Sequence, residues 1–170
     1  MKQFKRCIPF FLVVLSALSS CLDKDDEPRT WELEMQELNR YITNLLNLGY
    51  DVDTTELGVY YIVKEEGEGP FPEQGDTLTI AYAGYFIDGT MFENTTIDNS
   101  EGTITFNFID DTMIPGFEDG LKVMNKGSNI EMVIPSDLAY GAEGTYLIPP
   151  YTSLIFVTGM IDLKPVSDND

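Results

Sequence analysis

The chain contains no histidine and only two cysteines, Cys7 and Cys21. Without an imidazole, and with no thiol beyond Cys21, there is no material for a His-dependent triad, a Cys–His protease or the usual zinc site. Positive charge is scarce too: 10 Lys and Arg stand against 29 Asp and Glu, for a net charge of −19. Such a chain repels polyphosphate, which excludes nucleic acid as a partner, and it has no basic patch with which to dock on anionic lipid. No apolar run approaches the ~20 residues that a membrane-spanning helix needs. The abundant acids form no carboxylate pair in a recognisable active-site motif. Asp51 and Asp53 open something like a calcium loop, but its sixth position is Glu56 instead of glycine and its twelfth is Ile62 instead of glutamate, so that site is rejected. No metal and no cofactor are expected.

What is present begins with a basic start (Lys2, Lys5, Arg6), an apolar run from Cys7 to Leu18, and the box Leu18-Ser19-Ser20-Cys21. This resembles a bacterial lipoprotein signal peptide, in which small residues precede a cysteine that becomes both the new N-terminus and the site of lipidation. Residues 1–20 are then the signal, Cys7 leaves with it, and Cys21 carries the lipid. Cleavage removes three basic and no acidic residues, taking the charge from −19 to −22. Residues 21–30, charged and holding Pro28, read as a flexible tether. The expected location is a bacterial membrane, the outer membrane in particular, with the lipid anchor as the sole membrane contact.

At 170 residues and 43% apolar content, the chain has room for one domain plus extensions. From Trp31, apolar residues fall at Trp31, Met35, Leu38, Ile42 and Leu45, with Thr30 as N-cap and Gly49 as stop, which predicts an amphipathic helix over 31–49. That stripe either packs on its own domain or pairs two copies as a weak homodimer through residues 31–48. After Leu57, short alternating runs read as strands: Val59–Val63, Leu78–Tyr82, Ile104–Phe108 and Ile130–Ile134, with a turn at Asp88-Gly89. Leu154–Leu163 is apolar on both faces and reads as a central strand. Met113–Gly127 predicts one short helix: Pro115 at its start, Glu118 and Asp119 near the N-terminus, Lys122 and Lys126 toward the other end, and Gly127 as stop. Its apolar face, Phe117, Leu121 and Met124, needs a cover, since so short a helix does not persist alone in water. The expected fold class is α+β: a curved, mostly antiparallel sheet wrapped around that helix, preceded by the N-terminal amphipathic helix.

Four segments, IAYAGYFIDGTMFE (80–93), MIPGFEDGLKVMNKG (113–127), IPSDLAYGAEG (134–144) and LIPPYTSLIFVTGMIDL (147–163), resemble FKBP-type peptidyl-prolyl cis-trans isomerases in order and spacing. The resemblance covers residues 57–164 and leaves 165–170 as a disordered tail. It implies an isomerase of X-Pro bonds whose partners are proline-containing proteins or peptides, assisting the folding of exported proteins outside the cytoplasm. The alternative is an FKBP-like binding or chaperone module with little or no turnover. The resemblance implies catalytic roles for Tyr82, Glu93, Ile114 and Tyr140, with the Ile114 N–H and the Tyr140 hydroxyl holding substrate carbonyls. It implies substrate contacts for Phe92, Ile104, Phe106, Met113, Phe117, Leu147, Ile148 and Phe156, with Phe117 as the pocket floor. Glu93 falls where the family usually has Asp, paired in some members with an Arg; no arginine follows Arg40 here, so that pair cannot form. Phe117 stands where Trp is frequent. Phe106 and Phe156, at strand spacing, each read more readily as plain core when taken alone, whereas Tyr140 between Ala139 and Gly141 fits a pocket better than a core. Rotating a prolyl amide breaks no covalent bond, so a chain without histidine, free thiol or cofactor suits the chemistry.

Overall fold

The computed structural model describes residues 28–98, 101–108 and 113–166. The expected signal peptide, the expected lipidation site Cys21 and most of the expected tether lie outside the described residues. Helix α1 runs from Trp31 to Asn47. The Thr30 hydroxyl caps it by accepting the Leu33 N–H at 3.3 Å, and Gly49, at φ +86°, turns the chain away after it. The tether is already fixed at its end: the Arg29 guanidinium pairs with Glu37 at 2.6 Å and donates to the Tyr151 carbonyl, so the expected flexibility does not extend to Arg29 and Thr30.

Seven strands form one sheet: β1 (Asp53–Thr54), β2 (Tyr60–Glu65), β3 (Thr77–Phe86), β4 (Met91–Asn94), β5 (Ile104–Asn107), β6 (Asn129–Ile134) and β7 (Leu154–Lys164). Their order is β1-β2-β6-β7-β3-β4, every pair antiparallel, and β5 shares the outer edge of β3 with β4. Strand β7 lies between β6 and β3, the central place expected from its two apolar faces. The Asp88-Gly89 turn joins β3 to β4, with Gly89 at φ +88°. Three short elements escape the alternation signal: β1, β4 and helix α2 (Thr95–Asp98). Phe108 leaves its strand and is buried. Within the segment expected as a tail, the Val166 N–H donates to Asp76 Oδ1 at 3.0 Å, and 167–170 lie outside the described residues.

Helix α3 spans Pro115–Leu121 and ends well before Gly127, a correction to the longer helix expected. Beyond Leu121 the backbone takes partners elsewhere: Gly127 N–H donates to Met160 O at 2.8 Å, and Glu68 N–H donates to Lys126 O at 2.8 Å. Phe117, Leu121 and Met124 are nevertheless all buried, against Leu78, Ile80, Ile130, Met132, Ile134 and Leu154 on one face of the sheet. The approach is close: a Cβ on Gly116 would lie 2.3 Å from Ile134 Cγ2, and one on Gly120 2.7 Å from Met132 Sδ. The other face receives α1, whose Leu38, Met35 and Ile42 pack with Val133, Ile155, Tyr60 and Tyr85. The apolar stripe is thus used within the chain. Trp31, placed on that stripe by spacing, is exposed, and Glu34 is buried among it instead.

Candidate active site

Between the start of α3 and the sheet lies a cavity of about 580 Å³. Strand β3 contributes Tyr82, β4 contributes Glu93, β7 contributes Phe156, and the segment entering α3 contributes Met113, Ile114, Pro115 and Phe117. The loop after the 3₁₀ turn Ser136–Leu138 adds Ala139 and Tyr140. Its wall is an edge-to-face aromatic cluster: ring centroids lie 5.4 Å apart for Tyr82–Phe117, 5.0 Å for Phe117–Phe156 and 5.8 Å for Tyr82–Phe156. Gly84, opposite Phe156 in the β3–β7 register, admits this packing, since a Cβ there would meet Phe92 Cζ at 2.6 Å.

The polar groups are few and directed. The Tyr82 hydroxyl donates to Glu93 Oε1, which gives the family's acidic position a partner on the neighbouring strand in place of an arginine. Tyr140 sits at the mouth, about a third exposed, and its hydroxyl makes no hydrogen bond among the described residues. Burial, and then the Glu93 charge, push that hydroxyl above a tyrosine's ordinary range, so it remains a neutral donor at neutral pH. Ile114 stands at the N-cap of α3 in extended conformation, and its N–H too has no acceptor among the described residues. Glu118, in the first turn, accepts the neighbouring Met113 N–H at 3.4 Å.

Of the residues singled out in the sequence, Tyr82, Glu93, Met113, Ile114, Phe117, Tyr140 and Phe156 meet around this cavity. Phe92 lies behind the wall, against Phe86 and Phe156. Ile104 and Phe106 are half-buried on the core and do not line the cavity, and Ile148 is buried in the core itself. Leu147, a substrate contact by resemblance, is 65% exposed and outside the cavity. Pro115 and Ala139 line it unforeseen; both flank residues already named, and sequence adjacency alone could have found them. Thr95 was also missed. Its buried hydroxyl donates to Gly102 O at 2.8 Å and accepts the Tyr82 N–H at 3.3 Å, tying the 95–102 loop to β3 beside the site. A second cavity, of about 430 Å³, lies between α1 and the segments 86–88 and 149–153, with Arg29, Glu37 and Arg40 in its rim. Charged and without the aromatic cluster, it gathers none of the expected residues.

The sequence pattern of the FKBP-type peptidyl-prolyl cis-trans isomerase family matches residues 69–161, more than half of the chain. The chain belongs to this family. Among FKBP-type relatives, it is 39% identical over 119 residues to the isomerase FkpA of Escherichia coli K12, covering 70% of this chain and 43% of the relative. It is 34% identical over 113 residues to the FKBP-type 22 kDa isomerase of the same organism, covering 66% of this chain and 53% of the relative. The chain therefore spans about half the length, or less, of these curated relatives. Among solved structures, the FKBP fold here resembles the crystal structure of E. coli FkpA, with TM-score 0.65 and 33% identity over 79% of this chain and 62% of that one. It also resembles a peptidyl-prolyl cis-trans isomerase from Pseudomonas syringae, with TM-score 0.68 and 27% identity over 82% and 99% of the two chains.

Proposed function

We propose that this FKBP domain catalyses cis-trans isomerisation of X-Pro bonds, with Tyr82, Glu93, Ile114 and Tyr140 acting on the amide and Met113, Phe117 and Phe156 holding the proline ring. The observation that carries this reading is the pairing of an aromatic cavity with two hydrogen-bond donors, the Tyr140 hydroxyl and the Ile114 N–H, that take no acceptor among the described residues. The barrier of ~18–20 kcal/mol comes from amide resonance, and uncatalysed exchange takes tens to hundreds of seconds. The planar amide is more charge-separated than the twisted one, so an apolar, water-excluding wall disfavours the planar state more. Donors aimed at the substrate carbonyls add stabilisation where the twisted geometry meets them. Phe92 supports the wall from behind, Ile104, Phe106 and Ile148 belong to the core on which it rests, and the exposed Leu147 would meet a longer client outside the cavity.

The clients are proline-containing exported proteins, and the chain works outside the cytoplasm, held to a bacterial membrane by lipid on Cys21. Among the described residues no helix is long and apolar enough to cross a membrane. A homodimer through residues 31–48 would have to be built on the exposed Trp31, Leu33, Leu46 and Leu48, because the Leu38 face is occupied by the chain's own sheet.

A protease-coupled assay on a proline tetrapeptide, with purified residues 22–170, tests the activity. Wild type should accelerate exchange well above the uncatalysed rate, and Tyr140→Phe should lose most of that acceleration while melting within a few degrees of wild type. Tight binding of the peptide with no acceleration would favour the binding-module alternative, for which the exposed Tyr146 and Leu147 offer a contact surface. A Tyr140→Phe protein with full turnover and a much lower melting temperature would show Tyr140 to be structural.

A further inference from the structure

Glu34 is a carboxylate on α1, yet only 1% of its surface is exposed. A buried charge is costly unless its oxygens are saturated with donors. Here they are: Ser136 donates its N–H to Oε1 at 2.7 Å and its hydroxyl to Oε2 at 2.5 Å, and the Ser153 hydroxyl donates to Oε1 at 2.6 Å. Both serines are buried as well, and they stand 102 and 119 residues away along the chain. Ser153 immediately precedes β7, which carries Phe156, while Ser136 opens the 3₁₀ turn that leads to Tyr140.

Ser136 passes this restraint on. Its carbonyl accepts the Ala139 N–H at 2.9 Å and the Gly141 N–H at 2.7 Å, the two residues on either side of Tyr140. A second line of contacts starts just before the helix. Arg29 donates from Nε and Nη2 to the Tyr151 carbonyl at 3.3 and 3.1 Å, and the Tyr151 N–H donates to Gly141 O at 2.9 Å. Tyr151 holds φ +48°, a left-handed conformation that a bulky residue keeps only where its surroundings over-determine it. Both lines begin on or beside α1 and end on the residues flanking Tyr140.

We infer that Glu34, seconded by Arg29, is a positioning residue for the isomerase site: through Ser136 and Ser153, α1 holds the Tyr140 loop in register with the aromatic wall. The catalytic consequence rests on the isomerase reading of the cavity; the geometric one does not. Glu34 and Arg29 lie outside the family-matched segment 69–161, so α1 becomes a working part of the site instead of an appended helix. A donor displaced by ~1 Å can cost ~100-fold in rate, so a loop restraint of this kind is worth having.

The test uses the full chain with Glu34→Ala, Glu34→Gln and Ser153→Ala, each held well below its own unfolding temperature. Two quantities are measured: kcat and KM on a fluorogenic proline tetrapeptide, and amide hydrogen exchange at Ala139, Gly141 and Tyr151. Glu34→Ala should lower kcat about tenfold with a smaller change in KM, and should speed exchange at Ala139 and Gly141 more than in β6 and β7. Glu34→Gln should recover most of both, because its carbonyl oxygen still accepts from Ser136 N–H and its amide can donate to the Ser136 hydroxyl. If Glu34→Ala does not fold, Ser153→Ala compared with Glu34→Gln carries the test, with a partial loss expected. A folded Glu34→Ala or Ser153→Ala protein with wild-type kcat and unchanged exchange around Tyr140 overturns the inference. An inactive wild-type chain would overturn the isomerase reading instead, and hydrogen exchange would still decide whether the restraint exists.

Discussion

Phe117 combines two demands on one side chain. It is 2% exposed and packs edge-to-face with both Tyr82 and Phe156, and it also lines the cavity. Truncation of a fully buried Phe to Ala costs ~3–5 kcal/mol, which would obscure any catalytic effect. Phe117→Leu separates the two roles, because it keeps apolar volume and removes the flat ring against which a proline would lie. Its unfolding free energy in urea should fall by ~1–1.5 kcal/mol, as for other size-conserving swaps, while kcat/KM falls several-fold. Unchanged catalysis beside a large stability loss would assign Phe117 to the core alone and require another floor for the pocket. Leu147 and Ile148 mark what residue-level resemblance cannot resolve: adjacent positions of one motif, they end 65% and 4% exposed. Which of the two turns inward depends on the backbone of the 144–148 loop, where Thr145 N–H meets Ile148 O at 2.7 Å.

At the scale of elements, α3 places the site, and its two glycines set how near it comes to β6. A methyl on Gly116 would meet Ile134 Cγ2 at 2.3 Å and the Leu138 backbone oxygen at 3.1 Å, and the β-branched Ile134 has little rotamer freedom with which to yield. Alanine would gain about 1 kcal/mol of helix propensity, but overpacking a close contact costs ~1–3 kcal/mol and moves the helix. Gly116→Ala should therefore lower the melting temperature and, by shifting Ile114 and Phe117 together, lower isomerase activity by more than the population unfolded explains. Thermal denaturation and the peptide assay on the same sample check this; a more stable, fully active variant would show that α3 has room to move. Helix α3 is shorter than its local sequence predicts, because its continuation has other partners. Helical signals run on to Gly127, but the backbone beyond Leu121 is claimed by Met160 and Glu68, partners that local periodicity does not reveal.

At the scale of the molecule, acids outnumber bases 29 to 10, and the described lysines lie among them. Each described lysine stands beside a carboxylate: Lys64 at 3.0 Å from Glu131, Lys122 at 2.9 Å from Asp119, Lys126 at 2.6 Å from Asp162, and Lys164 at 3.8 Å from the same Asp162. The exposed pairs, those of Lys126 and Lys164 with Asp162, add little stability, yet among the described residues these pairings leave no cluster of unpaired lysines for an anionic membrane. Membrane attachment should then depend wholly on Cys21. Cys21→Ser should appear in the soluble fraction of cells expressing it, and retention in the membrane fraction after a high-salt wash would refute lipid anchoring.

The sequence alone determined whatever is written within a few residues of itself. Strand alternation placed β3 and β6, an apolar run on both faces placed β7, Thr30 and Gly49 marked the limits of α1, and four motifs in order located seven residues of one cavity. These signals are local because side-chain period, caps and turns depend on neighbouring dihedrals. Only the tertiary structure decided that Glu34 turns inward where Trp31 was expected, that α1 covers the sheet face opposite α3, and that Arg29 reaches Tyr151. Each of those outcomes joins groups far apart in the chain, and a buried carboxylate finds its donors only after the strand order has brought Ser136 and Ser153 beside the same turn of helix. The free energy that selects such contacts, desolvation offset by hydrogen bonds, exists only once the core has closed around them.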